Sequence, residues 1–190
     1  MGALRTPRAR WVEAGLAALA AGGVDAVRVE ALATSLGVTK GGFYGFFADR
    51  DALLTAMLDT WEEETVDAVI RQSAEATENA LDQVRVAGRL TFSERLLPID
   101  LAVRDWARRD DAVAARLRRV DNARMRLLRD AIALVCDDPD EVEARAFLAF
   151  AAAISSSLLA ADHPGMTRAQ VARRAGDLLF SRDDQGRRSR

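Results

Sequence analysis

GVTKGGFYGFF, Gly37 to Phe47, is the stretch whose reading decides the fold. It holds the only lysine of the chain, Lys40, and the only tyrosine, Tyr44, with three of the seven phenylalanines and four glycines. Just upstream, VEALATSL (29–36) has apolar residues at helical spacing and stops at Gly37. Glycine takes the left-handed conformation of a helix end at no steric penalty. Thr39 stands where an N-cap belongs, and a third helix is expected from about Lys40 to Phe46. Two short helices joined by Gly37-Val38-Thr39 make a helix-turn-helix candidate. Leu32, Ala33, Leu36 and Val38 are expected to pack the two helices together.

In such a unit the second helix enters the major groove and its N-terminal residues meet base edges. Here that end reads Thr39-Lys40-Gly41-Gly42. The Thr39 hydroxyl can cap the helix or reach a phosphate. Lys40 can reach guanine N7 and O6, or a phosphate. Gly41 and Gly42 clear bulk for a close approach, and Tyr44 can place its hydroxyl on a phosphate. Phe43 and Phe47 are expected to fill a small core against Trp11 and Leu16. The plainer alternative is a glycine- and aromatic-rich turn that serves packing alone.

Outward from this stretch the chain reads as helices. The first is expected from about Arg8 to Ala21, with Pro7 near its first position and Gly22-Gly23 ending it. Trp11, Val12, Leu16, Leu19 and Ala20 recur on it at helical spacing. Asp49 is a plausible N-cap for a long fourth helix through about Arg71. Further helices are expected near 77–90, 96–108, 111–136, 139–161 and 167–180. Asp138-Pro139-Asp140-Glu141 offers a cap with a proline at the first position, and Thr167 to Gln170 is a capping box. The tail after Phe180 is polar and expected to fray. No run alternates strictly enough for a strand. The expected fold is all-α with about nine helices: a helix-turn-helix domain over 1–48 and a second helical domain over 49–190.

The 190 residues are 49% hydrophobic and 29% charged, the balance of a soluble globular protein. No apolar run reaches the ~18 residues of a membrane span, and the N-terminus lacks a signal-peptide pattern. One cysteine, Cys136, excludes an internal disulfide; a buried thiol and a reducing cytoplasm are expected. The net charge of −2 hides a basic head: residues 1–50 carry six basic against four acidic residues. One histidine, His163, and one cysteine cannot form a usual zinc site. No nucleophile–base set or phosphate loop is present. No metal, cofactor, membrane partner or enzymatic activity is therefore expected.

The segment from Arg10 to Leu54 resembles the DNA-binding domain of TetR-family transcriptional regulators. Leu32-Ala33, Leu36 through Gly41, Phe43-Tyr44, Phe47, Arg50 and Leu53-Leu54 carry the resemblance. It implies DNA contacts from Arg28, Thr39, Lys40, Gly41, Gly42, Tyr44 and Arg50. Arg28 stands where the family often has Thr or Ser, Phe46 replaces a common His, and Arg50 replaces a common Lys beside phosphate. The stretch 99–128 is similar to the sixth and seventh helices of many such regulators. The resemblance further implies a homodimer on a palindromic double-stranded operator, most often a repressor, released by a small-molecule effector.

Beyond residue 50 the residues speak less clearly. FLAFAAAISSSLLAA (147–161) is nearly all apolar or small, as a helix buried all round would be. Ala149, Ala152, Ala153, Ser156 and Ala160 form a small-residue stripe, and Val171, Ala175 and Leu178 share a face of the next helix. The resemblance implies that these two helices pair with a second subunit; an intramolecular core is the alternative. Met57, Trp61, Trp106, Met125 and Leu128 are candidates for an apolar effector cavity, with Asp100 and Arg104 as polar contacts. Such a lining suits an apolar or aromatic ligand. A helical ligand-binding or scaffold protein without DNA binding is the competing function.

Overall fold

The structure, a computed structural model, describes residues 7–156 and 158–181. Among these the chain forms α-helices and no strand. They are α1 (Pro7–Gly22), α2 (Val29–Leu36), α3 (Lys40–Phe43), α4 (Arg50–Glu62), α5 (Ala68–Ala76), α6 (Ala80–Thr91), α7 (Leu96–Ala107), α8 (Asp111–Ile132), α9 (Pro139–Ser155) and α10 (Arg168–Leu179). A 3-10 turn, Val24–Ala26, separates α1 from α2, and a π-helical turn, Glu63–Asp67, continues α4 into α5.

The chain divides into two compact units. The first comprises the described residues up to Val69 together with Ser93–Val120. In it α1 packs against α2, α4 and α7. One continuous apolar cluster runs from Trp11, Leu16 and Leu19 through Phe43, Leu53, Met57 and Trp61 to Val103 and Trp106. Gly15 sets how closely α1 meets α4, since a Cβ there would lie 2.5 Å from Met57 Sδ. The second unit comprises Ile70–Phe92 and the described residues from Asp121 on. Its cluster is Met125, Ile132, Cys136, Val142 and Ala146, with Leu128, Phe150 and Phe180 packed on it. There α9 packs against α10. The boundary expected near residue 48 falls inside the first unit.

The helix signals read from the sequence match local geometry at several ends. Asp49 accepts from the Ala52 amide at 2.8 Å, Asp138 caps α9, and Thr167 with Gln170 closes a capping box. Gly37 is left-handed at φ 68°, and the Val38 amide closes the end of α2 on the Ala33 carbonyl. Cys136 is buried and is not in a disulfide.

Elsewhere the expectations need correction. The helix placed at 139–161 stops at Ser155, because the Ser155 and Ser156 hydroxyls donate to the carbonyls three residues back and compete with the helix ladder. Ala160 therefore lies outside it. The third helix ends at Phe43 rather than Phe46, since Gly41, Gly42 and Gly45 favour helix poorly. The fourth continues through its π-helical turn to Ala76 rather than ending near Arg71. The expected helix 111–136 ends at Ile132. The tail beyond Ser181 lies outside the described residues.

Candidate nucleic-acid interface

The interface begins with its anchor. Phe43 and Phe47 are both buried, as expected. Trp11 meets Phe43 edge-on at 5.3 Å between centroids, and Phe47 stacks on Phe43 at 5.4 Å. Aromatic contacts of this kind fix ring orientation as well as burying area. Because α3 is only four residues long, these two rings hold it in place, and its other face is turned outward. Thr39, Lys40, Gly41, Gly42 and Tyr44 are all exposed, and Arg28, one residue ahead of α2, is exposed as well.

Neither glycine of α3 is needed by the fold. A Cβ at Gly41 or Gly42 would meet only the Thr39 hydroxyl, at 3.8 and 3.9 Å. Neither has a positive φ, so side chains are sterically allowed at both. Their lack of bulk leaves open space directly above the exposed backbone of α3.

Three side chains sit differently from their sequence-based assignments. Thr39 has the extended backbone of an N-cap, but its hydroxyl makes no capping bond. Val38 does not close the corner between the helices; it is 45% exposed. With Arg10, Trp11, Leu36, Gly42 and Phe46 it lines a shallow notch. Arg50 is half-buried, and its guanidinium donates from Nε to the Val27 carbonyl at 2.7 Å and from Nη2 to the Val24 carbonyl at 2.6 Å. Arg50 thus braces the turn that opens α2, a role that the sequence does not announce.

Electrostatics add a partner that sequence reading missed. Lys40 Nζ donates to Glu30 Oε1 on α2. The hydrogen bond from the Lys40 ammonium holds the Glu30 carboxyl below its ordinary range, and the same bond raises the lysine. The pair spans ten residues, and only the tight corner at Gly37 brings it together. Arg8 lies over the Phe47 ring at 5.0 Å, so it too is engaged within the head.

The head can be compared with known proteins on this geometry. Residues 12–57 match the family described as "Bacterial regulatory proteins, tetR family". They are a TetR-family DNA-binding domain. Among solved structures, a transcriptional regulator from Rhodococcus sp. Rha1 superposes with a TM-score of 0.69 at 19% identity, covering 92% of this chain and 94% of that one. The ketosteroid transcriptional regulator KstR2 of Mycobacterium tuberculosis gives 0.67 at 18% identity, covering 94% and 95%. AibR, in complex with isovaleryl coenzyme A and operator DNA, gives 0.64 at 16% identity, covering 93% and 99%. No curated protein sequence matches significantly. The all-helical fold of these regulators extends over nearly the whole chain, and the head marks the chain as a DNA-binding transcriptional regulator. No described helix is long and apolar enough to cross a membrane.

The seven effector candidates divide between the two units. Met57, Trp61 and Trp106 are buried in the cluster of the first unit. Met125 and Leu128 belong to the cluster of the second. Asp100 is buried and accepts from Arg104 Nε at 2.9 Å, so these two satisfy each other. Two nearby groups lack partners. The indole N–H of Trp61 and Oε2 of Glu64 are buried with no hydrogen bond, although Glu64 Oε1 accepts from Arg95. They flank the start of the π-helical turn, a feature that often marks functional positions in helices.

The eight dimer candidates share one property. None is buried: Ala152, Ala160 and Leu178 are exposed, and Ala149, Ala153, Ser156, Val171 and Ala175 are half-buried. Phe147, Leu148, Leu158 and Leu159 are exposed on the same stretch. Sequence reading passed over these four, though large apolar residues beside a small-residue stripe were the available signal.

Proposed function

We propose that this regulator is a homodimeric repressor whose heads bind a palindromic double-stranded operator and release it when a small apolar or aromatic effector binds. Residues 1–48 serve as the reading head, and 49–190 carry effector binding and dimerisation. The observation that carries the DNA half is the outward face of α3. Thr39, Lys40 and Tyr44 surround two glycines that neither packing nor backbone geometry requires. Lys40 is the base-reading residue in this proposal, and Thr39, Tyr44 and Arg28 contact phosphate. Phosphate contacts set register, while base contacts set sequence preference.

Dimerisation is supported by the exposed apolar side chains of the 147–159 stretch and Leu178. Large apolar side chains left exposed in this way mark an interaction surface. Effector control is supported by the unpaired Trp61 N–H and Glu64 Oε2, because a buried polar group without a partner is costly and a ligand can supply one. The complex of AibR with both a coenzyme A thioester and operator DNA points the same way by analogy.

The deciding experiment is selection of duplexes from a randomised library by the purified protein, followed by anisotropy titration of the enriched sequence against random duplex. Enrichment of an inverted repeat with half-sites about one helical turn (~34–36 Å) apart, or modestly more, is expected. Failure to enrich any sequence would favour a scaffold without DNA binding.

A further inference from the structure

Lys40, the only lysine, is already engaged. Its ammonium is held by Glu30, with the two side chains 52% and 66% exposed. Arg28 lies near enough to add to the stabilisation of the Glu30 charge. The pair thus stands exposed on the head, beside Gly41 and Gly42, on the side proposed above to meet DNA. An exposed ion pair stabilises a fold very little. A carboxylate there opposes the approach of phosphate, whose attraction to cations supplies essentially all non-specific affinity.

We propose that Glu30 is a specificity-determining residue: it holds Lys40 toward the bases and keeps phosphate away from it, so that the head discriminates operator from random duplex. The donor count supports this. An ammonium has three N–H donors and no acceptor. One goes to Glu30, and the other two match guanine O6 and N7 in the major groove. On the operator Lys40 keeps Glu30 and adds guanine. On random duplex its available acceptor is a phosphate, and Glu30 must either swing away or face that charge. Glu30 therefore weakens the non-specific complex more than the specific one.

The inference rests on the reading of the chain as a sequence-specific regulator, and the test separates the two. Wild type, Glu30→Gln, Lys40→Met and the double variant are titrated on the selected duplex and on random duplex between about 50 and 200 mM salt. Glu30→Gln should steepen the log–log salt slope on random duplex by ~0.9 for each lysine that gains a phosphate, and leave the slope on the selected duplex unchanged. The ratio of operator to random affinity should fall by about threefold or more at the low-salt end. In the Lys40→Met background the same substitution should change the ratio far less. Glu30 is exposed, so the substitution leaves packing intact, and Glu30→Ala repeats the measurement with a different side chain. An unchanged ratio and slope in both variants overturns the proposal, as does an equal effect with Lys40 removed. If wild type selects no sequence, the regulator reading fails and takes this inference with it. If wild type selects and Glu30→Gln matches it, only the role of Glu30 is lost.

Discussion

Arg50 Nε donates to the carbonyl of Val27 across 23 residues of chain, at 2.7 Å. Its Nη2 reaches the Val24 carbonyl as well. The first turn of α4 is thereby tied to the turn from which α2 starts. The tie is a planar fork that a single point charge cannot reproduce.

Replacement of Arg50 separates bracing from phosphate contact. Arg50→Ala should destabilise the protein by about 2 kcal/mol, since two hydrogen bonds to a charged donor are lost from a half-buried site. Arg50→Lys keeps the charge and loses the fork, so its urea midpoint should fall nearly as far. Operator affinity should drop in both variants. An Arg50→Lys protein with wild-type stability and affinity would show that charge alone matters at this position.

The glycines of α3 give the opposite pattern. Gly41→Ala and Gly42→Ala meet no close neighbour, so thermal unfolding should be unchanged or shift upward, with a gain of up to about 1 kcal/mol. Binding to the selected duplex should weaken, because the added methyl occupies the space left for the DNA. A loss of stability, or full affinity with the methyl present, would show that the glycines serve some other end.

These two cases also mark what a sequence can disclose. Helix starts were legible at Asp49, Asp138 and Thr167, because capping is a local code of side chain and nearby amide. The aromatic anchor Phe43–Phe47 on Trp11 was legible from spacing and size. The bracing role of Arg50 was not, since its partners are backbone carbonyls 23 and 26 residues away, and any residue type has a carbonyl. The Lys40–Glu30 pair was hidden for a related reason: the Gly37 corner, and no helical period, brings the two side chains together. The effector candidates rest on residue type alone. Type does not say which of two clusters a buried Met or Leu joins.

Association can be tested on the exposed apolar stretch. Ala153→Arg and Phe147→Glu each place a charge where burial against a second copy is proposed. Sedimentation at micromolar concentration should show a dimer for wild type and a monomer for both variants, with helix content retained. A monomeric wild type, or a dimer that tolerates both charges, would remove this stretch as the interface.

Tyr44 and Lys40 should differ in kind. Tyr44→Phe removes one exposed hydroxyl and should weaken selected and random duplexes by similar factors, since a phosphate contact carries no direct base information. Lys40→Ala should instead alter the preferred base at one position of each half-site, with discrimination of ~1–3 kcal/mol lost. Equal weakening on every sequence would move Lys40 to the backbone contacts.

Trp61 is the largest fully buried side chain, and its indole N–H has no acceptor. In the free protein that donor is a cost, since an unsatisfied buried polar group is worth about 1–3 kcal/mol of lost stability. Trp61→Phe removes the donor along with part of the ring. Its stability should therefore fall much less than the ~3–5 kcal/mol of a large core truncation. The effector should then lose affinity in this variant, because the acceptor it brings has nothing to meet. Trp61 sits on α4, the helix that Arg50 ties to the head, so a ligand seated there should displace the element that positions α2 and α3. Linkage requires the reciprocal effect: the effector must bind the operator complex more weakly than the free protein, by the factor with which it lowers operator affinity, typically ~5–150-fold. Compounds carrying one hydrogen-bond acceptor on an apolar or aromatic frame are screened by tryptophan fluorescence, and each hit is titrated against bound operator. Trp61→Phe should abolish most of the fluorescence response and the release of DNA together. Hits that release the operator equally well from the Trp61→Phe protein would place the effector elsewhere and leave the unpaired N–H without a ligand.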